Sequence, residues 1–407
     1  MKFCPVCGRE YDDGKVCDAD GAVLVQPRAV PIDSLIGQVL KESYRIEERI
    51  GEGGMAAVFR GVQITLERNV AIKVLMPGLQ STPSVIQRFF REARLLSQLS
   101  HPNIVGIIDF GHTEDGMVYM VMEYLIGATL DEIVPPVGGL DPARLVNFLH
   151  QICSGVASAH RRKLVHRDLK PDNIFVTQAT GEESVKILDF GIARALEVEG
   201  QARLTQKGML MGTPCFLAPE QIQSLDADAR SDIYALGAIL YFMATGKRPF
   251  SGDTPHAIFA QQVHRPPEIQ DAEFGELLPF AEIVLRAMKI DPEERYQTAT
   301  ELAEAAEAMA VARGLIEEPS RSVATRTPTP AVRARKDEDL EPTAVMATVP
   351  SRDPDSQTST RTDVEPTRML RSEDREELDT PRPPRPTWLA WAALVLIVAV
   401  VALVLLL

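Results

Sequence analysis

Apolar and polar residues alternate from Tyr44, where Tyr44-Arg45-Ile46 opens a strand-like run leading into Gly51-Glu52-Gly53-Gly54-Met55-Ala56-Ala57-Val58-Phe59. Glycines let a backbone turn tightly and bring amide N–H groups close to a ligand. Val58-Phe59-Arg60-Gly61-Val62 then reads as a second strand, and Val70-Ala71-Ile72-Lys73 as a third that ends in a cation. Between Val85 and Leu99 the period changes. At about 100° per residue, Val85, Ile86, Phe89, Phe90, Ala93, Leu96 and Leu99 cover one arc of a helix. Glu92 falls inside that arc, whereas Arg91 and Arg94 fall outside it. A carboxylate on a buried stripe is costly unless a cation meets it, so an ion pair between Glu92 and Lys73 is expected. Residues 119–125 predict a buried strand running into a polar turn. Leu145, Phe148, Leu149, Ile152, Val156 and Ala159 predict a helix over Asp141–Arg161.

The far end of the chain is of another kind. Residues 315–387 hold 11 of the 29 prolines, with many Thr, Ser and Arg and little that could form a core; this predicts a disordered linker. From Trp388 to Leu407 there is no charge, and 20 residues of helix span about 30 Å, the thickness of a bilayer core. Trp388 and Trp391 stand at one end as interfacial residues do, with Arg382 and Arg385 before them on the expected cytoplasmic side. A single-pass, C-terminal anchor in the cytoplasmic membrane is therefore expected, with the rest of the chain in the cytoplasm and no sensor domain outside.

Length and composition narrow the class. The 407 residues are too many for one domain, and 45% hydrophobic with 25% charged is ordinary for a globular chain. A net charge of −14 argues against a nucleic-acid binder. The start, Met1-Lys2-Phe3-Cys4, has no apolar run, so no cleaved signal peptide is expected. Three of the five cysteines lie in the first 17 residues, which reads as metal ligands or reduced thiols rather than a disulfide framework. Cys4-Pro5-Val6-Cys7 gives two thiolates the bite that tetrahedral Zn²⁺ needs. Cys17 follows, and Asp20 sits where a second Cys-x-x-Cys would end, making it the candidate fourth ligand. The segment resembles half of a zinc ribbon; an N-terminal arm with free thiols is the alternative.

The strongest chemistry lies at Val165-His166-Arg167-Asp168-Leu169-Lys170-Pro171-Asp172-Asn173 and, sixteen residues past Asn173, Asp189-Phe190-Gly191. An acid, a cation and two oxygen ligands for a hard ion are what phosphoryl transfer asks of a protein, which must position reactants and neutralise charge. A Gly-x-Gly turn also serves Rossmann folds, but a Rossmann fold needs a helix after it, and here a strand follows. From about Tyr44 to about Leu302 the chain resembles the protein-kinase family, specifically bacterial serine/threonine kinases of eukaryotic (Hanks) type.

That resemblance implies an α+β, two-lobed protein kinase fold, with a small lobe of antiparallel sheet plus one helix and a mainly helical large lobe. It implies ATP and Mg²⁺ as cofactors. Asp168 would take the proton of a substrate hydroxyl, Lys170 would reach the transferred phosphate, and Asn173 and Asp189 would bind Mg²⁺. Lys73, oriented by Glu92, would reach the α- and β-phosphates. Ile50, Gly51, Glu52, Gly53, Gly54, Val58 and Ala71 would surround the nucleotide. Met122 would act as gatekeeper, with backbone groups of Glu123 and Leu125 at the adenine edge. Ala56 departs from the pattern by standing where a third glycine is usual. Ala218-Pro219-Glu220 closes an activation segment in which Thr205 is the candidate regulatory phosphosite and Thr213 a residue bonding Asp168 and Lys170. Glu220 and Arg295 resemble the family's buried ion pair, and Asp232 is expected to anchor the catalytic-loop backbone.

The organisation expected is a zinc-ribbon-like segment over 1–27, a kinase domain over 38–312, a linker over 313–387 and a membrane helix over 388–407. Protein Ser/Thr substrates, the membrane and a transient homodimer for phosphorylation in trans are the expected partners. A pseudokinase scaffold and a small-molecule kinase are the rivals. The full set Lys73, Glu92, Asp168, Asn173 and Asp189 speaks against the first, and the Gly212-Thr213-Pro214 and Ala-Pro-Glu segment against the second.

Overall fold

The computed structural model describes residues 2–26, 31–53, 56–79, 82–113, 116–178, 181–190, 214–223 and 227–317. Gly54, Gly191, Thr205, Thr213 and the apolar run 388–407 lie outside them, as does nearly all of the predicted linker. Among the described residues no helix is long and apolar enough to cross a membrane.

Two short strands, β1 (Lys2–Phe3) and β2 (Glu10–Tyr11), pair at the start of the chain. The small lobe follows with β3 (Val39–Leu40), β4 (Tyr44–Glu52), β5 (Ala56–Gln63), β6 (Arg68–Leu75), helix α1 (Pro83–Ser97), β7 (Ile107–His112) and β8 (Val118–Glu123). These strands form one antiparallel sheet in the order β3-β4-β5-β6-β8-β7. Side chains alternate across a strand, and β6 divides accordingly. Val70, Ile72 and Val74 join Phe59, Tyr119 and Val121 on one face, which Ile32, Leu35 and Leu40 cover. Ala71 and Leu75 join Met120 and Met122 on the other, where Val85, Ile86, Phe89, Phe90 and Ala93 of α1 pack. The two-residue period therefore fixes where Lys73 emerges: on the α1 side, opposite Val58 of β5 and Met120 of β8.

The large lobe comprises β9 (Gly127–Thr129), α2 (Leu130–Ile133), α3 (Pro142–His160), β10 (Ile174–Gln178), β11 (Glu183–Ile187), α4 (Pro219–Ile222), α5 (Ala229–Thr245), α6 (Pro255–His264), α7 (Asp271–Phe274), α8 (Ala281–Ala287) and α9 (Ala299–Ala312). Helix α3 starts at Asp141, whose carboxylate accepts from the Arg144 amide, and delivers its apolar stripe into the large core. Helix α5 is buried on every side from Ser231 to Thr245, so its polar residues must be satisfied by protein. It stops at Gly246, where φ is +75° and a Cβ would strike the Pro135 carbonyl, so glycine alone fits. Together the sheet-plus-helix lobe and the helical lobe are the expected two-lobed fold.

Deep in the large lobe Glu220 meets Arg295 in a two-pronged pair, Nη1 to Oε1 and Nη2 to Oε2 at 2.8 Å each. The remaining guanidinium N–H groups donate to the carbonyls of Lys289, Arg230 and Ile290, and Ser231 donates to Glu220. All five donors are satisfied. Burial would raise the Glu220 carboxyl, but the bonds from Arg295 and Ser231 hold it below the ordinary range. Arg295→Ala would leave that carboxylate buried without its cation, an expected loss of about 3–5 kcal/mol in unfolding free energy by urea titration. Because the folded pKa of Glu220 lies below the unfolded one, the wild-type pair's contribution is present at neutral pH and fades as pH falls through the depressed value.

Candidate active site

The catalytic-loop sequence follows α3 and is fastened from below by α5. Asp232, fully buried, accepts from the amides of His166 and Arg167 at 2.8 Å each, and the His160 ring bonds the same carboxylate at 2.7 Å. His166 in turn contacts the Leu188 carbonyl at 2.9 Å and lies against the Phe190 ring, so the loop and the Asp189 segment are tied together. Arg167 (φ +65°) and Asp189 (φ +44°) are both left-handed non-glycine residues. Such backbone costs on the order of 1–3 kcal/mol each and persists here because the Asp232 and His166 bonds hold both ends of the turn.

On this frame stand the predicted acid and its neighbours. The Asn173 amide donates to the Asp168 carbonyl at 2.7 Å and to its Oδ2 at 3.1 Å, while Lys170 Nζ lies 3.3 Å from the same Oδ2. With its nitrogen committed to Asp168, Asn173 has its carbonyl oxygen to offer a cation. Arg167 has a buried Nε with no hydrogen-bond partner among the described residues, and Gln221 of α4 donates to its carbonyl.

Lys73 departs from expectation. Its Nζ lies 2.6 Å from Asp189 Oδ1, and no ion pair joins it to Glu92. The Glu92 Oε2 is buried without a hydrogen-bond partner. Both acids compete for one cation, and here the 2.6 Å contact goes to the acid from the large lobe. The physical consequences are opposite. At Asp189, burial works to raise the carboxyl, yet Lys73 holds it below the usual carboxylate range, with 42% of the side chain reached by solvent. At Glu92, burial dominates over the attraction of Lys73 and Arg167 and raises the carboxyl to about 8. An ionised Asp189 and the Asn173 carbonyl suit a hard, oxygen-seeking cation such as Mg²⁺.

The described residues placed around the nucleotide by resemblance belong to β4, β5, β6 and β8 and the segments that follow β4 and β8. Gly51 and Glu52 end β4, and the Gly53 amide donates to the Ala56 carbonyl at 2.9 Å to close the turn. Ala71 faces Met122 across the β6–β8 ladder, and Val58 and Leu125 pack on the same apolar cluster; Ile50 is exposed at the rim. Leu188, which directly precedes Asp189 in sequence, packs on that cluster too. The Glu123 amide donates to the Gly106 carbonyl at 3.0 Å and its carboxylate takes bonds from Gly106 and Lys186, so that amide is not available to a ligand.

A second cluster lies at the chain start. One ligand atom each from Cys4, Cys7, Cys17 and Asp20 falls within 4.8 Å of the others. Two similar turns build it. Gly8 N–H donates to the Cys4 carbonyl and Gly21 N–H to the Cys17 carbonyl, both at 3.0 Å, with φ of +79° and +71° at the glycines. Amides of Val6 and Cys7 point at Cys4 Sγ, and that of Ala19 at Cys17 Sγ, at 3.3–3.4 Å. The Ala22 amide bonds the Asp20 carboxylate and helps lower it to about 2, keeping it ionised. Three thiols and a carboxylate in a tetrahedral-sized group are a donor set that Zn²⁺ accepts.

Residues 44–309 match the protein kinase domain family. The chain is 38% identical over 273 residues to the serine/threonine-protein kinase pkn3 of Myxococcus xanthus, covering 66% of this chain and 50% of that one. It is 38% identical over 270 residues to pkn2 of the same organism (66% and 32%) and 39% identical over 269 residues to PknB of Mycolicibacterium smegmatis (65% and 42%). It therefore spans half or less of the length of these relatives. Among solved structures, the PknI kinase domain of Mycobacterium tuberculosis superimposes with a TM-score of 0.54 at 25% identity, covering 68% of this chain and all of that one.

The orphaned Glu92 carboxyl has a measurable signature. Its folded pKa, about 8, exceeds the ordinary 4.5, so the folded protein holds this proton more tightly than the unfolded chain. The arrangement accordingly loses stability as pH rises between those values. Glu92→Gln removes that penalty, and its melting-temperature advantage over wild type is expected to widen from about pH 5 to about pH 8. A difference that stays flat across this range by scanning calorimetry would rule out a buried, unpaired Glu92.

Proposed function

The chain belongs to the protein kinase family, and from that premise we propose that it is a membrane-anchored serine/threonine protein kinase. It transfers the γ-phosphoryl group of ATP to Ser and Thr hydroxyls of proteins and phosphorylates its own activation segment. The observation that carries this reading is the grouping of Asp168, Lys170 and Asn173 on one loop, tied to the segment of Asp189 through the bonds of His166 and Asn173 with Leu188. The substrate hydroxyl oxygen forms the new bond to phosphorus as the bond to the β–γ bridging oxygen breaks. The hydroxyl proton passes to Asp168, and Lys170 offsets the charge on the transferred group. Asn173 and Asp189 would hold Mg²⁺, which supplies charge neutralisation at the phosphate oxygens. Bringing Lys73 to the phosphates requires α1 to carry Glu92 to it. A phosphate on Thr205 would have Arg167, whose Nε lacks a partner among the described residues, as a cation beside the base.

The catalytic assignment is tested with the full chain in detergent, labelled ATP and Mg²⁺. Wild type should transfer label to itself or to a basic protein, giving phosphothreonine and phosphoserine. Asp168→Asn should slow transfer by about 10²–10⁴, and Lys73→Met should remove it. Equal labelling by wild type and Asp168→Asn, at matched melting temperature, would install the scaffold reading instead.

We read Cys4, Cys7, Cys17 and Asp20 as a structural Zn²⁺ site, supported by the paired turns that aim amides at the sulfurs. We also read residues 388–407 as a membrane helix, on the uncharged 20-residue run and its tryptophans. A coil as long as 313–387 reaches about 45–50 Å, so the lobes can work near the bilayer without touching it. Tethering raises their effective concentration toward one another and favours phosphorylation in trans. Deleting 388–407 should move the protein from the membrane to the soluble fraction, keep its intrinsic activity and lower Thr205 occupancy in cells. Retention of the truncated protein in the membrane pellet would refute the anchor.

A further inference from the structure

The N-terminal cluster does not sit apart from the catalytic lobe. Phe3 and Val25, joined by reciprocal backbone bonds at 2.9 Å, bury their side chains in the cluster formed by Val85, Ile86, Phe89 and Phe90 of α1. Gly8, in the first cysteine turn, lies against the Gln87 amide so closely that any Cβ there would collide with it. The segment thus forms a pad on the N-terminal half of the helix that carries Glu92.

The segment depends on this contact, whereas α1 also packs on the sheet through Phe89, Phe90 and Ala93. The segment's own core is Cys4, Cys17 and Leu24 with parts of Tyr11 and Ala22, too small to fold without a staple. Thr82, the residue that precedes α1, makes no side-chain capping bond, so the pad supplies restraint that the helix terminus lacks. Phe3 immediately precedes Cys4, and Val25 lies five residues beyond Asp20. A metal drawing those two turns together would therefore also fix the spacing of the two pad residues.

We propose that metal occupancy of the Cys4–Cys7–Cys17–Asp20 site controls the position of α1, and through it whether Glu92 can reach Lys73, making this site a zinc-responsive regulator of the kinase. The proposal rests on the kinase and zinc readings above. With metal bound, the pad is preformed and holds α1 where it is seen, with Lys73 on Asp189 and Glu92 Oε2 without a partner. With metal removed, the pad loosens and α1 is freed to carry Glu92 toward Lys73 and draw it from Asp189. The device has two discrete parts, a folded or loosened segment and a seated or freed helix, as coupling between distant sites requires.

The experiment uses the full chain in detergent, with Zn²⁺ added or removed by chelation, and three separate readouts. Elemental analysis should give close to one zinc per chain, lost in Cys4→Ser and Cys17→Ser. Hydrogen exchange over residues 83–97 should speed up on chelation and slow again when Zn²⁺ is restored. The KM for ATP should fall, and phosphate transfer rise, by about fivefold or more on the same treatment, with no response in Cys17→Ser. Phe3→Ser, or Gln87→Ala should the former fail to fold, leaves the ligands in place and is expected to bind zinc while its activity no longer follows it. One zinc per chain with unchanged exchange and unchanged KM on removal would overturn the coupling and leave the metal site standing. Absence of zinc would overturn both. Zinc-dependent exchange over 83–97 without any phosphate transfer would uphold the coupling and reject only the kinase reading.

Discussion

One buried carboxylate underlies the geometry of the cleft. Asp232 sits on α5, a helix with no solvent face, where an acid is tolerated only if its oxygens are taken up. Two of its bonds come from the backbone of the catalytic loop and one from His160. The acid's need for donors and the loop's need for acceptors are thereby met together. The left-handed Arg167 follows from that double grip, and the direction in which Asp168 faces follows from Arg167. A helix packed for stability thus becomes the foundation on which the base is aimed.

Above that foundation the lobes share a cation. Lys73 can neutralise one of two acids, Asp189 from the large lobe or Glu92 from α1, and the one left over must find another partner or keep its proton. The 2.6 Å contact with Asp189 and the raised Glu92 pKa are two sides of the same competition. Its outcome depends on where α1 lies, because Lys73 is fixed in the sheet by its pairing with Val58 and Met120. Anything that bears on α1 bears on the catalytic lysine. The N-terminal segment, pressed on that helix through Phe3, Val25 and Gly8, is in a position to do so.

Much of this was legible in the residues. The strand period put Lys73 on a definite face, the helical arc put Glu92 among buried neighbours, and the spacing of Asp168, Lys170 and Asn173 identified the loop. The grouping of the N-terminal cysteines with Asp20 was legible because each turn is local, closing within five residues. Leu188 and the supporting role of His160 were not legible, since each matters through a neighbour far away in sequence. The expected Lys73–Glu92 pair failed for a related reason. Sequence can show that a buried acid needs a cation but not that a second acid, over a hundred residues away, stands nearer to it.

What the sequence determined by itself was the set of chemical groups and the local elements carrying them, because periodicity, turns and ligand spacing are short-range consequences of backbone geometry. It also carried a resemblance to protein kinases from about Tyr44 to about Leu302, which the family match over 44–309 bears out. Tertiary structure alone decided which groups meet: Asp189 rather than Glu92 at Lys73, Asp232 beneath the loop, and the cysteine turns against the helix of Glu92. Those choices are set by how whole elements pack, and packing sums contacts from residues that no local window holds together.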